Sequence, residues 1–230
     1  MQKQAVIVRK IERHSADIVT VYFTLADGGV LAYEAGQYVT VYFQDTTTPE
    51  GKAYSLCTAP YESLMGITVK RIGEYSGRLH DLKVGDAFDI SSAYGFFNPG
   101  HSRPLVCLAA GVGISPIWSV LKSELLRDAS LSVHLFYSNK RAAEIPHGKV
   151  INQLVASRES FKASYHVTGE ATVPGAMRQG RIVLDECVGA VEDACYLVCG
   201  SVEFVTAMVR GLVVRGVEQT RISTETFFES

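Results

Sequence analysis

The sequence predicts two domains: an antiparallel β-barrel over residues 1–99, then a parallel-sheet α/β domain over residues 103–230. Three observations carry this. The first hundred residues alternate apolar and polar with a period of two and carry almost no helical periodicity. Beyond Asn98-Pro99-Gly100, apolar strand-like runs alternate with helical stretches, as in βαβ units. At the first strand-to-helix junction of that second half stands Ala110-Gly111-Val112-Gly113-Ile114-Ser115-Pro116.

Element by element, β-branched and aromatic residues mark strands at 5–13, 18–25 and 37–43, with Asp27-Gly28-Gly29 as a turn. Shorter strands are expected at 53–57, 66–72 and 87–91. Ser76 reads as the N-cap of a short helix ending at Leu82. In the second half, strands are expected at 105–109, 131–137, 161–167, 194–199 and 221–228. The helices between them are expected at 115–127, 148–157, 181–188 and 202–216.

Composition excludes several classes. With 230 residues, 47% hydrophobic and 20% charged, the chain is neither disordered nor fibrous. A net charge of -2 without any basic block argues against nucleic acid as partner. The apolar run 104–118 is too short and too broken by Gly and Pro for a membrane span, and no secretory leader is visible, so a cytoplasmic protein is expected. The five cysteines, Cys57, Cys107, Cys187, Cys195 and Cys199, show no C-x-x-C spacing, so no metal site is expected.

The chemistry-bearing stretches are short. Glycines at a strand-to-helix turn let a pyrophosphate approach the backbone, and the helix N-terminus supplies amides and a positive dipole end. On its own the 110–116 turn equally fits a junction without ligand. Tyr54 and Ser55 on one strand also fit a plain surface, and Cys199-Gly200 at a strand end also fits a buried structural cysteine. After the second strand of the second half come Ser138-Asn139-Lys140-Arg141, with no carboxylate before Glu144. In a βαβ domain that holds a nicotinamide nucleotide, as the resemblance below implies, a hydroxyl and two cations there favour a 2′-phosphate, hence NADPH over NADH; a solvated loop has the same composition.

Taken in order, five stretches resemble the pattern of the ferredoxin–NADP reductase superfamily over essentially the whole chain. They are Lys52-Ala53-Tyr54-Ser55, Gly73-Glu74-Tyr75-Ser76, Gly111 to Pro116, Cys199-Gly200 and Glu225-Thr226-Phe227-Phe228. The reductase portions of flavohaemoglobins and of oxygenase reductases are the most similar. The resemblance implies a flavin-binding barrel and an NAD(P)H-binding α/β domain, with hydride passing from nicotinamide to FAD, or to FMN. It further implies that Tyr54 packs on the isoalloxazine with Ser55 near N5, and that Leu56, Val69 and Lys70 complete the flavin contacts. Lys52, Gly73, Tyr75 and Ser76 would hold the flavin phosphates. Gly111, Gly113, Ile114, Ser115 and Pro116 would hold the nicotinamide nucleotide, with Ser138, Lys140 and Arg141 at its 2′ end. Cys199 and Gly200 would lie by the nicotinamide, and Glu225, Phe227 and Phe228 would cover the flavin. The catalytic set is then Ser55, Cys199 and Glu225. Lys52 departs from the family's Arg and offers a point charge in place of a bidentate grip. No iron–sulfur cysteine cluster is present, so the expected acceptor is a separate ferredoxin, flavodoxin or oxygenase component. Use of flavin as a substrate, or a nucleotide-binding subunit without turnover, are the alternatives.

Overall fold

The computed structural model describes residues 3–44, 48–98, 100 and 103–227. The first six strands are β1 (Gln4–Arg13), β2 (Ile18–Leu25), β3 (Tyr38–Tyr42), β4 (Lys52–Ser55), β5 (Met65–Lys70) and β6 (Ala87–Ile90). They form one antiparallel sheet in the order β4-β3-β6-β1-β2-β5. An antiparallel bridge between Leu56 and Ile67 then joins the two outer strands, with Cys57 N–H donating to Gly66 O at 2.8 Å. The sheet is therefore a closed barrel, which removes its edges. Alternating residues point inward: Val6, Val8, Val21, Phe23, Val39, Val41 and Ile67 are buried in one cluster.

Helix α1 (Glu74–Asp81) follows β5. Its N-cap is Gly73, not Ser76. Ser76 lies inside the first turn, and its hydroxyl accepts the N–H groups of Ile72 and Gly73 at 3.0 and 3.1 Å. The sequence expectation misplaced the helix start because a serine at the third helical position can fold back in the same way as a cap.

The second unit contains β7 (Leu105–Ala110), α2 (Ile114–Arg127), β8 (Val133–Asn139), α3 (Gly148–Ser157), β9 (Phe161–Val167), β10 (Arg178–Gln179), α4 (Leu184–Cys187), β11 (Cys195–Ser201), α5 (Val202–Val214) and β12 (Ile222–Phe227). All six strands run parallel in the order β10-β9-β8-β7-β11-β12. Residues Leu105 to Ala109 are buried throughout, as expected of a strand covered on both faces. Two elements differ from the expectation. The helix expected at 181–188 shrinks to α4, because the β-branched Val183 before it is extended and Gly189, at φ +78, follows its end. The two-residue β10, which carries Arg178 paired to Glu186, gave no sequence signal.

The two units lock together along α2. Ser119 Oγ donates to Thr58 O at 2.5 Å and accepts from Gly36 N–H at 3.2 Å. One turn on, Lys122 pairs with Glu62, and Tyr61 donates to the Lys122 carbonyl at 3.3 Å.

Candidate functional site

The strand order reverses between β7 and β11, and open parallel sheets bind ligands at such a point. Here the chain ends β7 at Ala110, turns through Gly111 to Gly113 and enters α2. Gly111 takes φ +53, and Gly113 passes so close to β11 that a Cβ on it would sit 2.4 Å from the Cys199 carbonyl oxygen. The Tyr137 hydroxyl, from the end of β8, donates to Gly111 O at 2.9 Å and holds the turn from below. Ser115 turns its hydroxyl onto Val112 O at 2.8 Å, while Ile114 and Pro116 are buried.

A cleft of about 480 Å³ opens between this turn and the barrel. The barrel contributes Tyr38, Lys52, Tyr54, Ser55, Thr68, Val69, Lys70, Gly73, Tyr75 and Ser76. The second unit contributes Val112, Ser115, Glu225 and Phe227. Most of the barrel residues named from sequence thus meet on one surface. Leu56 does not: it is fully buried against Ile67 in the barrel. Tyr75 borders the cleft, but its hydroxyl donates to the Val41 carbonyl, so it offers no hydroxyl proton to a phosphate. Lys70 has Asp17 3.8 Å away.

Glu225 is the central titratable group. β12 pairs with β11 so that Glu225 lies opposite Cys199, and Ser55 Oγ donates to Glu225 Oε1. Burial raises the Glu225 carboxyl from 4.5 to about 7, against a smaller lowering by the Ser55 hydrogen bond. The Cys199 thiol is fully buried in the core under the glycine turn, and burial pushes it well above its ordinary range. It does not border the cleft, and neither does Gly200, which packs against Ala110 and Phe204. Phe228 lies outside the described residues.

The turn after β8 lies apart from the cleft. Lys140 and Arg141 are exposed there with Ser138 half-buried. Arg141 pairs with Glu144 at 3.3 Å, and Glu170, arriving from beyond β9, accepts the Ala142 N–H at 3.3 Å. Sequence reasoning missed Tyr137, Thr68 and Glu170. Only Tyr137 left a signal, since a tyrosine in a fully buried strand needs a partner for its hydroxyl.

The family model for the oxidoreductase NAD-binding domain matches residues 107–210. The flavohemoprotein of Bordetella pertussis is 33% identical over 96% of this chain. The crystal structure of the flavohem-like FAD/NAD binding domain of nitric oxide dioxygenase from Vibrio cholerae superposes with a TM-score of 0.88 at 29% identity, covering 97% of this chain and 98% of that one. The chain belongs to the ferredoxin–NADP reductase superfamily of oxidoreductases. A ferredoxin NADP+ reductase of that superfamily from Neisseria gonorrhoeae, solved with bound FAD and NADP, shares the whole fold, with a TM-score of 0.82 at 19% identity over 99% of this chain and all of that one. The chain spans about three fifths of the Bordetella flavohemoprotein, 59% of its length. Among the described residues, no helix is long and apolar enough to cross a membrane.

Proposed function

We propose that the chain is an NAD(P)H-dependent reductase that takes hydride from the nicotinamide into FAD held in the inter-domain cleft and passes electrons to a separate acceptor protein. The observation that carries this is the meeting of Tyr54 and Ser55 from the barrel with Glu225 and Phe227 from the nucleotide side around one cleft, with the glycine turn at its rim. The residues fit a flavin. The cleft offers aromatic side chains for a ring system, and Lys52 with the N-terminus of α1 suits a phosphate. A bound flavin would supply the exchange between two-electron and one-electron chemistry.

The chain's own residues would bind and orient. Tyr54 offers a ring face, Val69 and Lys70 line the strand beside it, and Ser55 with Glu225 holds one proton at the cleft wall. The turn Gly111 to Ser115 supplies backbone donors for the nicotinamide nucleotide's pyrophosphate. Cys199 acts from beneath that turn, next to Glu225 across the ladder. At the 2′ end, Lys140 and Arg141 favour NADPH, while Glu144 and Glu170 offset them. The acceptor is a ferredoxin, flavodoxin or oxygenase component, and the last of these is supported by likeness to reductase component 1 of terephthalate 1,2-dioxygenase from Comamonas, 28% identical over 84% of this chain. Lys52, a point charge, also favours a second reading in which FMN or free flavin is a substrate.

Purification tests this. The protein is expected to be yellow, with absorbance near about 450 nm from bound flavin, and to reduce an artificial acceptor with a nicotinamide nucleotide. Tyr54→Ala should lower flavin content, since a stacked aromatic contributes about 1 kcal/mol beyond its burial. A colourless protein that reduces added free flavin supports the second reading, and one without any turnover overturns both.

A further inference from the structure

His147 takes no part in the chemistry just proposed, yet it stands where the units join. It is the N-cap of α3 and holds φ 59, a left-handed conformation that a residue with a Cβ adopts only when its surroundings impose it. The residue is 6% exposed, and burial lowers its pKa to about 3, so it is a neutral imidazole. The ring stacks on Trp118 of α2, with centroids 6.2 Å apart and planes 22° apart. Its Nε2 lies 2.9 Å from Thr68 Oγ1.

Thr68 sits on β5 and borders the cleft. The same Oγ1 is 2.9 Å from Thr20 Oγ1, which is 2.7 Å from His14 Nε2. A chain of four buried or half-buried polar groups thus runs from the barrel hairpin, past the cleft strand, into the nucleotide unit. One imidazole touches the cleft strand, the helix that follows the glycine turn, and the first turn of α3. α2 already grips the barrel at Ser119 and Thr58. A second grip fixes rotation about the first.

We propose that His147 is a positioning residue, whose hydrogen bond to Thr68 sets the orientation of the nucleotide-binding unit against the cleft strand. This rests on the flavin reading above. Hydride transfer needs reacting atoms about 3–3.5 Å apart, and a displacement of about 1 Å costs on the order of a hundredfold in rate. A lost grip therefore shows in the transfer step before it shows in binding.

The test uses the flavin-loaded protein and rapid-mixing reduction by saturating nicotinamide nucleotide. His147→Gly keeps the left-handed backbone easy and removes the ring; Thr68→Val removes only the hydroxyl; Thr68→Ser restores it. Each of the first two is expected to lower the limiting rate by about tenfold or more, with the nucleotide dissociation constant within about threefold and flavin content unchanged. The double variant should be no slower than the slower single one, and Thr68→Ser should match wild type. A limiting rate within twofold of wild type in His147→Gly, whatever its melting temperature, overturns the proposal. So does slowing by Thr68→Val alone, which would place Thr68 directly on the flavin. If His147→Gly does not fold, His147→Asn, which also tolerates the left-handed backbone and carries no imidazole, takes its place: the same slowing supports the proposal, and a limiting rate within twofold of wild type overturns it. A wild type without flavin, or not bleached by either nucleotide, would instead overturn the functional reading itself.

Discussion

Ser55 and Glu225 stand 170 residues apart in the chain, and Ser55 Oγ donates a hydrogen bond to Glu225 Oε1 across the cleft wall. Ser55 ends β4 of the barrel, whereas Glu225 lies in the edge strand β12 of the parallel sheet. One side chain from each unit therefore defines a single proton-holding site.

Because burial raises Glu225 to about 7, its charge changes near neutral pH. Flavin reduction in the wild type should change with pH around that value, and Glu225→Gln should flatten the profile. Stability has a defined sign as well. The folded state binds this proton more tightly than the unfolded chain, so the contribution is complete below 4.5 and is lost as pH rises through about 7. Melting temperatures across that window should fall in the wild type relative to Glu225→Gln. Parallel curves would show that Glu225 titrates normally.

The two glycines that flank Val112 in the turn should respond differently. At Gly111 a Cβ meets nothing within 4 Å, so Gly111→Ala carries only the left-handed backbone cost of about 1–2 kcal/mol. At Gly113 a Cβ meets the Cys199 carbonyl, carbon and oxygen, and backbone cannot step aside as a side chain can. Gly113→Ala should lose roughly 3 kcal/mol or more, or fail to fold. Thermal melts of the two variants compare them, and equal losses would contradict the close approach.

Cys199→Ala is expected to leave the fold intact and to slow flavin reduction by NAD(P)H, because the residue underlies both the glycine turn and Glu225. A lower melting temperature with an unaltered reduction rate would make Cys199 a packing residue only.

Cofactor choice follows from the charges at the end of β8. Exposed pairs contribute about 0–1 kcal/mol each, so Lys140 and Arg141 against Glu144 and Glu170 should leave NADPH preferred by less than about tenfold. Glu170→Gln should widen that preference and Arg141→Ala should narrow or reverse it. Steady-state kcat/KM with both nucleotides measures this, and a wild-type preference for NADH would reverse the assignment.

Much of this was legible in the sequence, for physical reasons. β2 matches its expected bounds because Ile18 to Thr24 is an unbroken β-branched and aromatic run that Leu25 closes. The glycine turn was visible because strand, glycines and helix-compatible proline fall in order. What escaped depends on contacts made by folding. Glu170 reaches the β8 turn only through the β9 register, and Thr68 matters only because His147 arrives beside it. Ser76 misled because one hydroxyl serves two local patterns.

The two-residue β10 has a consequence for aggregation. It covers only the last two residues of β9, His166 and Val167, and among the described residues the outer side of the other five has no strand neighbour. An open strand edge is a template for pairing with another chain, and natural proteins blunt it with charge and brevity. Arg178, tied to Glu186, and Lys162, exposed on β9, place charge along that margin. Removing both charges would leave that edge without its charged guards, and self-association through that side of the sheet should follow as a concentration-dependent rise in particle size.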